Sequence, residues 1–250
     1  MDPLKIYRDF LKAHWWKERD KTPTDLRKKL PPPLSQKPVP DNAEMIDLVH
    51  PEEMVLGNMP VLEAIKRRKS RRKFTEDPLS LEELSFLLWT TQGLRDTEGK
   101  SSTNWRTVPS AGARHPFETY LIINRVTSLD TGLYRYIPLE HKLLFMNTDP
   151  ELPEKVSQGC RGQAFVGQGA VVFIWTVIPY RAEWRFSVVA PKMIAMDAGH
   201  LCQNLYLASE TMGAGTCAIG AYDQDKMDAI VQVDGEEEFV IYAAPVGKVI

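Results

Sequence analysis

Seven consecutive residues, Arg67-Arg68-Lys69-Ser70-Arg71-Arg72-Lys73, place six positive charges around one hydroxyl. Guanidinium forks and hydroxyl donors are the groups that hold a phosphate, through charge-assisted hydrogen bonds. Arg68, Ser70 and Arg72 stand at i, i+2 and i+4, so on an extended chain all three point to one side. Taken alone, the run equally suits a solvated basic face or a nucleic-acid patch. Two further segments, Pro109-Ser110-Ala111-Gly112 and Gly213-Ala214-Gly215-Thr216-Cys217-Ala218-Ile219-Gly220-Ala221, are rich in small residues. There a backbone can approach something flat without side-chain obstruction. Each is by itself also an ordinary tight connection. Together, the three segments describe an anchor for one phosphate and two loops enclosing a planar ring.

Other chemistries lack their signatures. The chain has no GxxxxGK[ST]. Gly213-Ala214-Gly215 follows a predicted helix and precedes a predicted strand, the reverse of the dinucleotide fingerprint. His14, His50, His115, His141 and His200 show no metal-ligand spacing, and His200 reads as a hydrogen-bonded core residue of a long helix. Ser110 lacks the nucleophile-elbow context. The 31 Lys and Arg against 33 Asp and Glu make the basic run a local feature, which argues against a nucleic-acid partner. The first residues contain no apolar run of the signal-peptide kind. The longest apolar stretch, 170–178, is about half of the roughly 20 residues a bilayer span needs. Cys160, Cys202 and Cys217 have no CxxC spacing. The expectation is a cytoplasmic protein with reduced thiols and no membrane partner.

The elements that must position these segments follow from the pattern. Residues 1–56, broken by Pro31, Pro32, Pro33, Pro38 and Pro40, read as an arm laid over the body or a neighbouring subunit, with a short helix at 9–18. The body, 57–250, starts with a helix whose apolar positions are Val61, Leu62, Ala64 and Ile65. Ser80 and Glu83 form a capping box for a helix that Gly93 ends. Residues 117–125 read as a strand, 132–137 and 142–146 as a hairpin, and 170–175 and 239–244 as central strands. The longest helix spans 191–212. Its seam of Ile194, Ala198, Leu201, Leu205, Ala208 and Met212 suits a subunit contact or core packing within one chain. The mixed order of helices and strands indicates an α+β fold.

The ordered motifs resemble the nitroreductase family of FMN-dependent oxidoreductases over about residues 58–248. The likeness is carried by the basic run through Phe74, the Pro-Ser-Ala-Gly loop and Gly132-Leu133-Tyr134-Arg135-Tyr136. It continues through Asp197-Ala198-Gly199-His200, Gln203-Asn204-Leu205 and Ile219-Gly220-Ala221-Tyr222-Asp223. Several features look most like the branch of azoline-peptide dehydrogenases, which oxidise thiazoline and oxazoline rings. The resemblance implies a mixed, mainly antiparallel sheet flanked by helices, in an obligate homodimer with FMN at the subunit interface. It implies that Arg68 and Ser70 bind the FMN phosphate, with Lys248 adding charge, and that Arg72 lies near the ribityl chain and pyrimidine edge. Pro109, Ser110, Ala111 and Gly112 would approach the flavin from the other subunit. Ile219, Gly220 and Ala221 would lie beside it, with the last two amides near N5. The implied activity is ping-pong hydride transfer from NAD(P)H to flavin N5 and on to a small-molecule acceptor such as a nitroaromatic or quinone. It needs no side-chain acid or base. In the azoline branch a Lys-Tyr pair precedes the long helix. Here Arg185-Phe186 stand there, and neither replaces that pair as a proton acceptor. Azoline oxidation and a non-catalytic flavin-binding role, with Trp15-Trp16 as an interaction surface, stand as alternatives.

Overall fold

The computed structural model describes residues 3–95 and 105–250. Its body is a seven-stranded sheet: β1 Met45–Asp47, β2 Phe117–Ile123, β3 Gly132–Ile137, β4 Lys142–Asn147, β5 Val171–Val177, β6 Ala214–Thr216 and β7 Phe239–Lys248. The order is β1-β4-β3-β2-β5-β7-β6, and every neighbouring pair is antiparallel. Helices cover both faces. The helices are α1 Pro3–Phe10, α2 Trp15–Lys21, α3 Val61–Arg67, α4 Leu81–Gln92, α5 Leu152–Gly159, α6 Tyr180–Phe186, α7 Ala190–Thr211 and α8 Gln224–Val231.

Two-sided burial explains why β5 is apolar at nearly every position. Val171, Phe173, Trp175 and Val177 pack with α4 and α7, while Val172 and Ile174 pack with α5 and α8. β2 divides the same way, Leu121 and Ile123 to one side and Tyr120 and Ile122 to the other. The Ser80–Glu83 capping box forms in full at the start of α4, and Gly93 is its C-cap. The 132–137 and 142–146 segments pair as the expected hairpin, β3 with β4.

One feature differs from the sequence reading, and two decide what that reading left open. The first helix is two, because Asp9 folds the chain back: its carboxylate accepts from Lys12 Nζ at 3.0 Å and meets the His14 ring at 3.1 Å. Its carbonyl accepts from Trp15 Nε1 at 3.0 Å. The α7 seam lies in the chain's own core, where Ile194, Ala198, Leu201, Leu205, Ala208 and Met212 are all buried. On α3 only Ala64 is buried; Val61, Leu62 and Ile65 are 67%, 61% and 54% exposed, an apolar face without cover from the described residues.

Residues 3–56 run across the body of the same chain. The Leu26 amide donates to the Trp184 carbonyl at 3.0 Å, and Trp184 Nε1 donates to the Leu30 carbonyl at 3.2 Å. Arg135 reaches the Pro38 carbonyl at 2.8 Å, and β1 adds a strand to the sheet edge. Lys37 is the deepest attachment. Its Nζ pairs with Glu238, which also accepts from Tyr120 Oη at 3.1 Å and Thr176 Oγ1 at 2.6 Å.

Candidate functional site

α3 ends at Arg67, and the following residues run without regular structure past Tyr206 on α7. The basic run divides there by parity. Arg67 Nε and an Arg71 Nη both lie 3.6 Å from Glu210, a buried carboxylate on α7. The Arg71 amide donates to the Thr216 carbonyl at 2.9 Å, and its side chain lies against Gly215, where a Cβ would come within 2.4 Å of Arg71 Cγ. Those two arginines hold the run to the body. Arg68 and Arg72 have no carboxylate partner among the described residues. The Arg68 guanidinium lies 5.3 Å from the centre of the Tyr206 ring, and that of Arg72 6.0 Å from the Phe165 ring. Ser70 Oγ is 3.0 Å from Tyr206 Oη, which in turn accepts from the Ala218 amide at 2.9 Å. Arg68 and Ser70 thus meet Tyr206, one turn of α7 before the Glu210 that holds Arg67 and Arg71.

Tyr206 ties this corner to the segment after β6. Ile219 is buried and exchanges both backbone hydrogen bonds with Ala243, at 2.7 and 3.1 Å, so it fixes the segment rather than presenting a group. Gly220 and Ala221 are exposed, and their N–H groups meet no acceptor among the described residues. A Cβ on Gly220 would meet nothing within 4 Å. Two guanidiniums, a hydroxyl and two open amides thus belong to segments that Tyr206 joins. That donor set suits a phosphorylated, electron-accepting ring. Lys248 sits apart: its Nζ pairs with Glu83 and donates to the Met212 carbonyl at 3.3 Å.

The Pro109–Gly112 loop lies elsewhere on the same helix. Ser110 Oγ donates to Asp197 Oδ2 at 2.6 Å, and the Ala111 amide donates to the same oxygen at 3.0 Å. Burial raises the Asp197 carboxyl above the usual range, against the pull of those two donors and of His200. His200 is not the core residue expected. Its side chain is 45% exposed and 3.7 Å from Asp197, because position 200 falls on the outer face of α7, between the buried turns of 198 and 201. Gly112 adopts φ +57°, and a Cβ there would lie 2.6 Å from Cδ and Nε of Arg185 and 3.1 Å from Cζ of Phe186. Only glycine accommodates both demands. Asp197 and Tyr206 are nine residues apart on α7, about 13 Å by helical rise. One chain therefore does not bring the loop onto the Arg68 corner.

Asp197 and Tyr206 are the two organising residues that the sequence reading left without a role. The available signal was position: both lie off the apolar seam of α7, each opposite one of the small-residue loops. Of the aromatic residues near the site, Trp184 is buried under the Arg114 guanidinium at 4.9 Å, and Tyr222 donates to the Val240 carbonyl at 3.0 Å.

The model of the nitroreductase family matches residues 65–248. The chain belongs to that family. A Methanocaldococcus jannaschii protein that carries the name nitroreductase is 30% identical over 196 residues, covering 76% of this chain and 94% of that protein. The crystal structure of a Ralstonia eutropha JMP134 protein described as a nitroreductase aligns with a TM-score of 0.69 at 25% identity, over 87% of this chain and 96% of the other. The NADPH:FMN oxidoreductase of Vibrio harveyi, solved with NAD+, shares the fold: TM-score 0.52, 19% identity, 75% of this chain and 68% of the other. Family membership supports an oxidoreductase with the α+β fold described above. Among the described residues, no helix is long and apolar enough to cross a membrane.

Proposed function

We propose that the protein is an FMN-dependent NAD(P)H oxidoreductase acting on a small organic acceptor. The single observation that carries this is the division of the basic run. Two arginines are anchored on Glu210, while Arg68 and Arg72 flank Ser70 without a carboxylate partner among the described residues, and Tyr206 joins this corner to the segment of Gly220 and Ala221. Arg68 and Ser70 would hold the phosphate, Arg72 would offset negative charge on the reduced ring, and Gly220 and Ala221 would donate along its edge. Bound FMN would supply hydride uptake from NAD(P)H and electron delivery to a nitroaromatic or quinone in alternating half-reactions. The protein's part is to bind, orient and shield.

A homodimer completes this reading. The loop of one copy, held by Asp197, would meet the Arg68 corner of a second copy across the exposed faces of α3 and α7. Val61, Leu62, Ile65 and Met196 supply uncovered apolar surface for that contact. Azoline oxidation, the narrower branch, needs a proton acceptor where Arg185 and Phe186 stand, so a nitroaromatic or quinone is the better acceptor class.

The test is direct. The purified protein should be yellow, carry one FMN per chain, elute at twice the chain mass, and bleach when NADH or NADPH is added anaerobically. Flavin that neither nicotinamide reduces would refute the donor; a colourless protein that takes up no FMN would refute the whole reading.

A further inference from the structure

Apart from Arg68, Arg114 and Arg185, the buried and half-buried guanidiniums among the described residues meet a carboxylate or a neutral oxygen acceptor, Arg106 and Arg135 only the latter. Arg181 meets Glu118 at 2.6 Å, Arg19 meets Asp20 at 3.1 Å, and Arg71 shares Glu210. Arg185 breaks the pattern. It is half-buried on α6, and among the described residues its side chain has neither a carboxylate partner nor a hydrogen-bond acceptor. Its stem crosses the Pro109–Gly112 loop at the one position without a Cβ, against Gly112. Arg114, at the end of that loop, is also half-buried. Its Nε donates to the Arg181 carbonyl at 3.1 Å and its guanidinium lies over Trp184, again with no carboxylate. The nearby acids are committed: Glu118 to Arg181 and the Lys37 amide, Asp197 to Ser110 and Ala111.

Two cations are thus held beside each other without a counter-charge. The Arg114 guanidinium is held below its usual range by burial and then by the charges of Arg185 and Arg181. The neighbouring wall is aromatic. Phe186 touches the Gly112 position, and the Trp16 ring of α2 stands edge-on to Phe186 at 6.3 Å. A fork of positive charge beside an aromatic wall fits an aryl body that carries a carboxylate.

We propose that Arg114 and Arg185 form an anion subsite beside the Pro109–Gly112 loop that binds the carboxylate of an aromatic electron acceptor. The substrate class rests on the oxidoreductase reading above; the anion site does not. At this position an arginine orients a carboxylate rather than moving a proton, since it stays protonated throughout.

Isothermal titration calorimetry of the protein as purified, with flavin content read by absorbance, tests this using 4-nitrobenzoate and the uncharged 4-nitrobenzyl alcohol. The parent should bind the carboxylate at least tenfold more tightly than the alcohol. Arg185→Gln should remove that preference, Arg185→Lys should keep part of it, and all should retain the parent's flavin content. Arg114→Gln gives a second, independent loss of preference if Arg185→Gln does not fold. Equal affinity for both probes in the parent overturns the proposal, as does a preference that survives both glutamine variants. A variant that keeps the preference but loses discrimination between NADPH and NADH assigns the cations to the donor's phosphate, and also overturns it. Carboxylate preference that depends on Arg185 in a protein without flavin leaves the subsite standing and removes the oxidoreductase reading.

Discussion

At Ser70 the hydroxyl meets Tyr206 on an exposed rim, whereas at Ser110 it donates to the buried Asp197 carboxylate at 2.6 Å. Both hydroxyls are attached to α7, nine residues apart, and both belong to segments rich in small or charged residues. The Ser70 corner leaves its guanidiniums without a carboxylate among the described residues: Arg68 and Arg72 rest on aromatic faces, and the Gly220 and Ala221 amides likewise meet no acceptor there. The Ser110 loop uses its donors internally and is locked by Gly112. On the function proposed above, the first arrangement would receive a ligand's charge and the second would hold a backbone shape against a ligand's face. Similar residue types are therefore left open toward one end of a helix and tied down toward the other.

The sharpest way to break this contrast is through the basic run. Arg68→Ala should weaken FMN affinity by roughly 1.5–3 kcal/mol, the value of a charge-assisted contact. Arg67→Ala, which removes a partner of Glu63 and Glu210, should leave it nearly unchanged. Fluorescence titration with FMN measures both, and equal losses would erase the distinction between anchored and free arginines. Next in size is Asp197→Ala, which strands the Ser110 hydroxyl and the Ala111 amide and should cost roughly 1–3 kcal/mol of unfolding free energy in denaturant. Ser70→Ala on the exposed rim should stay within about 0.5 kcal/mol.

The two glycines give a smaller but cleaner pair. Gly112→Ala meets both a positive φ and the Arg185 stem and should cost roughly 1–2 kcal/mol. Gly220→Ala enters open space and should melt within error of the parent. The last test is silent at neutral pH. His115, whose amide donates to Ser110 Oγ, is pushed down to about 3 by burial and by Arg106 and Arg114. As pH falls below about 6.5, the unfolded chain takes up the proton first, so stability present at higher pH should be lost progressively toward pH 3. His115→Asn, which tolerates the positive φ, should flatten that part of the stability–pH curve. An unchanged slope would place the acid sensitivity elsewhere.

Much of the scaffold was legible because single residues determine it. The Ser80–Glu83 box, the Gly93 stop and the unbroken apolar run of β5 each have one physical meaning. The parity of the basic run was also readable for Arg68, Ser70 and Arg72. What could not be read was the partner on the other side of each contact. Nothing near Arg71 in sequence points to Glu210, and nothing near Ser110 points to Asp197. The apolar residues of α3 left their cover unread for a related reason: periodicity reports that a face is apolar, not which surface covers it. His200 failed because a helix's inner and outer faces are separated by a single residue.

The Lys37–Glu238 pair has a consequence for how the chain is made. Residues 3–56 are made before the residues that hold them, which lie at 118, 135, 184 and 238. The Lys37 ammonium must therefore wait for its partner until the chain has passed residue 238 and Glu238 stands beside Tyr120 and Thr176. Closure at Lys37 is an event of high contact order, set by the 201-residue separation of the pair rather than by local helix formation.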